Sequence, residues 1–452
     1  MGKSILGKVA RFQPSSGMNR SALGVVAIIF AALVLVAGIG GIGIWLKISA
    51  LKKSLVANLE ESLGAKVEIA SLHLDLWHGE LQAANITLVN QRPDAPWEKG
   101  EVSQATLRFH LGDLFSSNLP LSVEVSSWNV VLHPYAVGVS AITIPAFPPS
   151  SHAIRVTQLS ARQGEIEIQL SDNKKVVFHG VAFESSNNGA EVWDTQLQAS
   201  SIVSGTLQAG SSSVQIRGDR DKVTFSNLRM HCGPSDGMIT GDGEMALNEH
   251  HAAHARLTAT GVPVTQLVGI PWQLKLSGLV NGDLTYEGND QSSSARGHMT
   301  VSDGKFNVLP WLGKVTALVN LPDITDMQVD QASSDLNWKD HAFHLTNIDI
   351  RKNDITRISG DVVIDPTGQV DGHLKLGLPS TVTAKWPQLQ DKVFSDQRED
   401  YNWADVHLTG PPDHLQEDLT SRGLAVGMDQ GSGLINQTSQ KAMDLLKGFL
   451  GN

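Results

Sequence analysis

From Lys66 to Gly410 the chain is written in short runs where apolar residues alternate with polar ones, broken by corners rich in Gly, Asn and Asp. Ile166, Ile168 and Leu170 alternate, Asp172-Asn173-Lys174 turns the chain, and Val177, Val181 and Phe183 resume. Leu284 and Tyr286 lead to a polar corner at 289–294, then Met299 and Val301, an expected turn at Asp303-Gly304, and Phe306 and Val308. Val362 and Ile364 precede Asp365-Pro366-Thr367-Gly368, followed by Val370, Leu374, Leu376 and Leu378. These are antiparallel hairpin signals, with small or Asx residues where positive φ is needed. Strands do not alternate with long helical segments, which argues against a parallel α/β sheet. At ordinary strand lengths the region holds about 20–25 strands, too many for one flat sheet. They must curl, close or split into stacked layers. Alternation is the same whether the apolar face packs into a filled core or lines a trough, and on physics alone filled sandwiches come first.

The first such segment, VEIASLHLDLWHGELQAANITLVN (67–90), changes parity repeatedly: Val67 and Ile69 are odd, Leu72, Leu74 and Leu76 even, Leu81 odd, Ile86 and Leu88 even. Each change predicts a bulge or corner, placed near Ala70-Ser71 and near His78-Gly79. Other interruptions divide the β region. Residues 142–151, ITIPAFPPSS, read as a linker or crossover, and 309–321 carry helical spacing through Leu312, Val315 and Leu318 or Val319. Pro411-Pro412 closes the last expected strand, and 411–452 reads as a helical segment with an amphipathic stretch from Leu434 to Leu450.

The N-terminus speaks to location. Ser21 to Leu46 contains no charged residue. At about 1.5 Å per residue, such a run crosses a hydrocarbon core of about 30 Å with some tilt. It is too long, and lacks the small-residue exit, for a cleaved signal peptide. Lys3, Lys8, Arg11 and Arg20 precede it with no acidic residue, so the positive-inside rule predicts a cytoplasmic basic tail (1–20) and a single-pass anchor (21–46). Within the run, Gly38 to Gly43 spells G-x-G-x-x-G. A dinucleotide fingerprint works only between a strand and a helix N-terminus in water, so close helix packing is the better reading. Residues 47–64 follow as an amphipathic helix, with Ile48, Leu51, Leu55, Leu59 and Leu63 on one face and Gly64 at its end.

Composition removes several function classes. With 35 Lys and Arg against 46 Asp and Glu, the net charge of −11 disfavours a nucleic-acid partner. A lone cysteine, Cys232, excludes an internal disulfide and a multi-cysteine zinc site. His250, His251 and His254 lack supporting ligands and read as a solvated turn. His73 and His78 read as surface or turn positions. Asp323, Asp326 and Asp330 do not fit an EF-hand loop. No nucleophile elbow, phosphate loop or H-E-x-x-H occurs, and the expectation is a protein without cofactor, metal or catalytic residues.

The anchor, the helix ending LEESLGAKVEI and the segment SLHLDLWHGELQAANITLVN together resemble the N-terminus of the AsmA-like family, through Leu63-Gly64, Val67, Ile69, Leu72, Leu74, Gly79, Leu81, Asn85, Ile86 and Leu88. SDGKFNVLPWLGKVTALVNLPD, AFHLTNIDI and ISGDVVIDPTGQVDGHLKLGL (within 302–378), with VHLTGPPDHLQEDL (406–419), are similar to its C-terminal region. Residues 151–284 share only β character. The resemblance implies an inner-membrane protein projecting into the periplasm, related to bridge-like lipid-transfer proteins, and a mainly β fold: an elongated, curled antiparallel sheet (65–410) forming a hydrophobic groove, with a few amphipathic helices. Phospholipids would be the cargo and envelope biogenesis the process, with an outer-membrane or periplasmic protein at the distal end. The expected groove residues are Leu72, Leu74, Leu76, Ile86, Leu88, Ile166, Ile168, Leu374, Leu376 and Leu378, acting collectively. At about 4.8 Å per strand the groove would run about 100–120 Å, short for spanning a periplasm alone. The alternative from another class is a periplasmic scaffold that assembles outer-membrane proteins by pairing strands with them.

Overall fold

The computed structural model describes most of the chain between Ala65 and Asp429, with Val56, Ala57 and Glu60 before it. Residues 1–55, 134–152, 307–326 and 430–452 lie outside the described residues, as do several shorter stretches. The expected anchor, the linker at 142–151, the helical insert at 309–321 and the stretch at 434–450 therefore fall outside them. So does most of the expected helix at 47–64, of which Val56, Ala57 and Glu60 are helical.

What is described is mainly antiparallel β-sheet, in two compact units: Met1–Leu257 with Thr285–Ser293, and Thr258–Leu284 with Ser294–Asn452. In the first, β1 (Ala65–Asp75), β2 (Glu80–Asn90), β3 (Trp97–Arg108) and β4 (Asn118–Leu132) pair in succession, all antiparallel. β4 then pairs in parallel with β5 (Ala153–Gln169), which requires the chain to cross back between them. Antiparallel pairing resumes from β5 to β6 (Lys175–Asn187), which pairs with both β7 (Trp193–Ala199) and β8 (Ser201–Ser204). These share β9 (Leu207–Gly218) as their next neighbour, followed by β10 (Lys222–Cys232) and β11 (Gly237–Ala246).

Strands β12 (Ala253–Pro263) and β13 (Leu276–Gly288) run through both units and flank the short helix α1 (Val264–Leu267). In the second unit β14 (Ser293–Phe306) pairs with β15 (Met327–Gln328) and β16 (Gln331–Lys339). A meander follows through β17 (Ala342–Lys352), β18 (Thr356–Ile364) and β19 (Val370–Pro379). After helices α2 (Ser380–Thr383) and α3 (Pro387–Lys392) come β20 (Asp396–Arg398) and β21 (Tyr401–Gly410), and β21 pairs with β19, β20 and β22 (Gln416–Glu417). Helix α4 (Leu419–Asp429) ends the described chain.

A row of irregular positions crosses β1 to β6. Paired residues flank, on successive strands, Ala70, Asn85, Ser103, Ser127 and Gln163. The register then slips between β5 and β6 beside Gly180. Asn85, Ser127, Gln163 and Gly180 have φ of 50°, 49°, 55° and 59°. A non-glycine residue there costs about 1–2 kcal/mol. Asn tolerates the conformation, and the Ser127 hydroxyl donates to Gln163 Oε1 at 3.0 Å, linking the two least suited residues. Each irregularity turns two successive residues away from the core, so the inward set changes parity and the strand twists more strongly.

The corner expected at Ala70-Ser71 is part of this row. The one expected at His78-Gly79 is instead the turn of the β1–β2 hairpin. There the Asp75 carboxylate accepts from the Trp77 and His78 amides, and glycine is required at Gly79, where φ is 64° and a Cβ would strike the Phe109 carbonyl. The change from Leu74 to Leu81 is thus a hairpin reversal, not a bulge. Asp303-Gly304 also departs from expectation: both lie inside β14, with Asp303 at φ 52°. Asx residues suit a positive-φ bulge as well as a turn, so composition does not separate the two. The Asp365 turn forms as read, closed by Gly368 N to Asp365 O at 2.9 Å, with Gly368 at φ 84°.

Candidate lipid-contacting face

Alternation puts one row of side chains on each face of a strand, but what covers that row differs along the chain. In β1 to β6 the apolar row is closed. Val67, Ile69, Leu81, Ile86, Leu88, Val123, Trp128, Leu159, Ile166 and Phe183 are buried and pack as one cluster, with Leu72, Leu74, Ile168 and Val56 against its margin. Trp128 anchors it: the ring lies on Gly164 of the neighbouring strand, where a Cβ would approach to 2.1 Å, and meets Phe183 edge-on at 6.0 Å. A separate cluster fills the second unit. There Leu374, Leu376, Leu378, Ala404, Val406 and Leu408 are covered by Val393 and Phe394, which follow α3, and by Leu419 and Val426 of α4.

The ten residues expected to line a groove are therefore divided. Ile86, Leu88 and Ile166 belong to the first cluster, Leu72, Leu74 and Ile168 pack half-buried against its margin, and Leu374, Leu376 and Leu378 belong to the second. Leu76 lies outside the described residues. Leu376 and Leu378 are 1% and 0% exposed, so their place is a filled interior.

Strands β9 to β11 are built differently. Val214 and Ile216 on β9, Val223, Phe225, Leu228 and Met230 on β10, and Ile239 and Met245 on β11 share a face, as the pairs Ile216–Phe225, Met230–Ile239 and Val223–Met245 require. None of these side chains is buried; all are half-buried. Within these strands only Ala209, Cys232 and Gly237 are buried. Gly241 and Gly243 lie between the side chains of β11 on this face, and Phe225 lies over Gly243. The face is apolar, half open and fitted with flexible thioethers, which adapt to irregular partners. The sequence signal for it was the alternation Val223/Phe225 then Leu228/Met230, with the parity change at Asn227 (φ 54°), equal in kind to the signal for the filled faces. On the hydrophilic side of the same unit a concavity of about 720 Å³ is lined by residues such as Gln158, Glu184, Asp194, Gln196 and Arg217, a setting for water rather than hydrocarbon.

The titratable groups considered from sequence are dispersed. His73 is exposed on β1, and His254 is half-buried on β12. His78 Nδ1 lies 2.7 Å from Asp75 Oδ2; that contact holds the Asp75 carboxyl below the usual range and the His78 imidazole above it. Burial pushes the Cys232 thiol up, away from the thiolate a nucleophile needs. Sequence reasoning missed one grouping. Asp371 and His373 on β19 meet His407 on β21 on an exposed surface, a D-x-H spacing that becomes legible only once β21 is known to pair with β19.

No protein-family model matches the chain, and no curated protein matches it.

Proposed function

We propose that this chain is an AsmA-like lipid carrier, in which the half-open apolar face of β9 to β11 takes up phospholipid acyl chains. The observation that carries the reading is the contrast inside one unit: the same alternation that closes into a core across β1 to β6 is left half-covered across β9 to β11. Each acyl methylene withdrawn from water there contributes about 0.8 kcal/mol, so two chains contacting the face over several methylenes bind without any specific headgroup contact. In this reading residues 21–46 hold the protein in a cell inner membrane. The chain after Leu46 lies in the periplasm, the protein acts in envelope biogenesis without catalysing a reaction, and another envelope protein receives the lipid.

The test is native mass spectrometry of the full-length protein purified from membranes in a mild detergent. Phospholipid retained by the wild type and lost from Met230→Asp is the expected result. A chain that carries no lipid, or that retains it equally in Met230→Asp and Ile239→Asp, removes the reading.

A second reading rests on β1. Its strand partner among the described residues is β2, and a strand added on the other side, as a scaffold for outer-membrane proteins requires, would displace the Glu60 carboxylate that accepts from the Val67 amide at 3.1 Å. Lys66 and Glu68 are exposed on this strand and pair with each other at 2.7 Å. Charged side chains on an edge discourage indiscriminate pairing, so any partner would be selected. Site-specific crosslinking from Lys66 that captures protein, with no lipid in the native spectrum, would favour this reading over transport.

A further inference from the structure

On the exposed surface of β19 and β21, His373 and His407 are directly opposite one another in the ladder, and Asp371 lies two residues before His373 on the same face. Leu374 and Leu408 point the other way, into the core. The two imidazole rings are nearly parallel, 6° apart, with centroids 4.7 Å from each other. Both direct Nε2 at one carboxylate oxygen: Asp371 Oδ1 is 2.9 Å from His407 and 3.7 Å from His373. All three donor atoms lie within 4.8 Å of one another.

We propose that Asp371, His373 and His407 form a binding site for a divalent transition cation of the zinc class. Zinc–nitrogen and zinc–oxygen bonds of about 2.0–2.2 Å around a tetrahedral ion place ligand atoms about 3.3 Å apart. The two histidine–carboxylate separations, 2.9 and 3.7 Å, bracket that spacing, and the third lies within 4.8 Å, so closing the set requires side-chain rotation without a change of backbone register. Two imidazoles and one carboxylate suit zinc, copper or nickel rather than calcium or magnesium, which take mainly oxygen ligands. The backbone supplies rigidity, because both histidines project from paired strands anchored by a filled core. Further support surrounds the group. Asp361 on β18 is opposite His373, adding negative charge beside the pair, and the His407 amide donates to Asp418 Oδ1 at 2.8 Å. Lys375, the nearest cation along β19, is engaged by Asp396 and Asp405 at 3.6 and 3.3 Å. The exposed side leaves the fourth position to water or to a donor from outside the chain. Such an ion would also tie β19 to β21.

The test is isothermal titration of tag-free, full-length, EDTA-treated protein with zinc chloride. At pH 7.5 one equivalent is expected to bind. His373→Ala and His407→Ala should each weaken that equivalent by about 100-fold or more, the upper end of what loss of a supporting residue alone produces. His231→Ala, an exposed histidine on β10, should leave it unchanged. All three side chains are exposed, so circular dichroism of the variants should match the wild type. Zinc should raise the melting temperature of the wild type and not of the His373→Ala/His407→Ala double variant. Absence of a stoichiometric equivalent in the wild type, or its survival at equal affinity in the double variant, overturns the proposal.

Discussion

Strands β1 to β6 and β9 to β11 belong to one unit and carry the same binary pattern, yet one set closes and the other stays half open. Two physical differences separate them. The first is the size of what faces inward. β1 to β6 present Trp97, Trp128, Phe183 and a dense aliphatic row, whereas β11 presents Gly237, Gly241 and Gly243 among its inward positions. The second is the extent of bulging: the row from Ala70 to Gly180 crosses six successive strands and strengthens the twist of each, whereas in β9 to β11 the register slips only along β10, around Asn227 and again after Met230. Binary pattern therefore determines which side is apolar, while side-chain volume and bulge placement determine whether that side is covered.

The comparison breaks most sharply at Ile86, which is 2% exposed in the closed face. A carboxylate there has no water and no cation, so Ile86→Asp is expected to destabilise the unit by more than about 4 kcal/mol. Urea denaturation should show the first unit unfolded or molten; a midpoint near wild type would mean that the face is a trough after all. Next in size is Gly164→Ala. Its Cβ would fall 2.1 Å from Trp128, forcing the ring out of its place, at a cost of about 2–3 kcal/mol. Trp128 fluorescence should shift to the red as the indole gains water.

The second unit supplies a contrast on its polar side. Arg351 and Arg357 are directly opposite on β17 and β18, a like-charge pair that destabilises a sheet unless something intervenes. Asp349 does so, with Arg351 Nε at 2.8 Å and Arg357 Nε at 3.1 Å. Burial alone would push the Asp349 carboxyl up, but the hydrogen bonds from Arg351 and Arg357 outweigh it and hold it below its ordinary value. A group lowered in the folded state contributes stability that is complete above the unfolded carboxyl pKa and is lost as pH falls through the folded one. Asp349→Asn should therefore cost about 1–2 kcal/mol above roughly pH 4, and the gap to wild type should close in stronger acid. A gap that persists unchanged into acid would assign the loss to packing instead of charge.

Strand character, apolar parity and the Asp365 turn were legible because each depends on neighbours within a few residues. Which apolar faces were covered was not. Leu376 and Met230 both stand in clean alternation, but Leu376 is buried among side chains from α4 and the segment after α3, whereas Met230 is half-covered. That distinction comes from residues distant in the chain. Positive φ was legible as Asn or Asp but not as bulge or turn, so a turn was expected at Asp303, which sits within a strand. Ser127 and Gln163 carried no signal at all, since neither residue type favours the conformation that the row of bulges imposes on it.

The smallest expected change in stability falls on the half-open face and separates the two regions most directly. Met230 sits between Ser212 and Ile239, half-buried. Its side chain has lost only part of its contact with water, so replacing it forfeits part of a burial worth about 1.5–3 kcal/mol. A carboxylate there remains within reach of solvent and need not be desolvated. Met230→Asp should thus cost about 1 kcal/mol, against the collapse expected for Ile86→Asp, although both place one charge on an apolar row. Chemical denaturation of the two variants side by side makes the difference quantitative. If Met230→Asp unfolds the chain as Ile86→Asp does, the face is a covered core and acyl chains have no place on it. If it folds and releases bound phospholipid, the carboxylate has changed what the face holds without changing how the sheet is built, because an ionised group must stay hydrated and a hydrated patch excludes hydrocarbon.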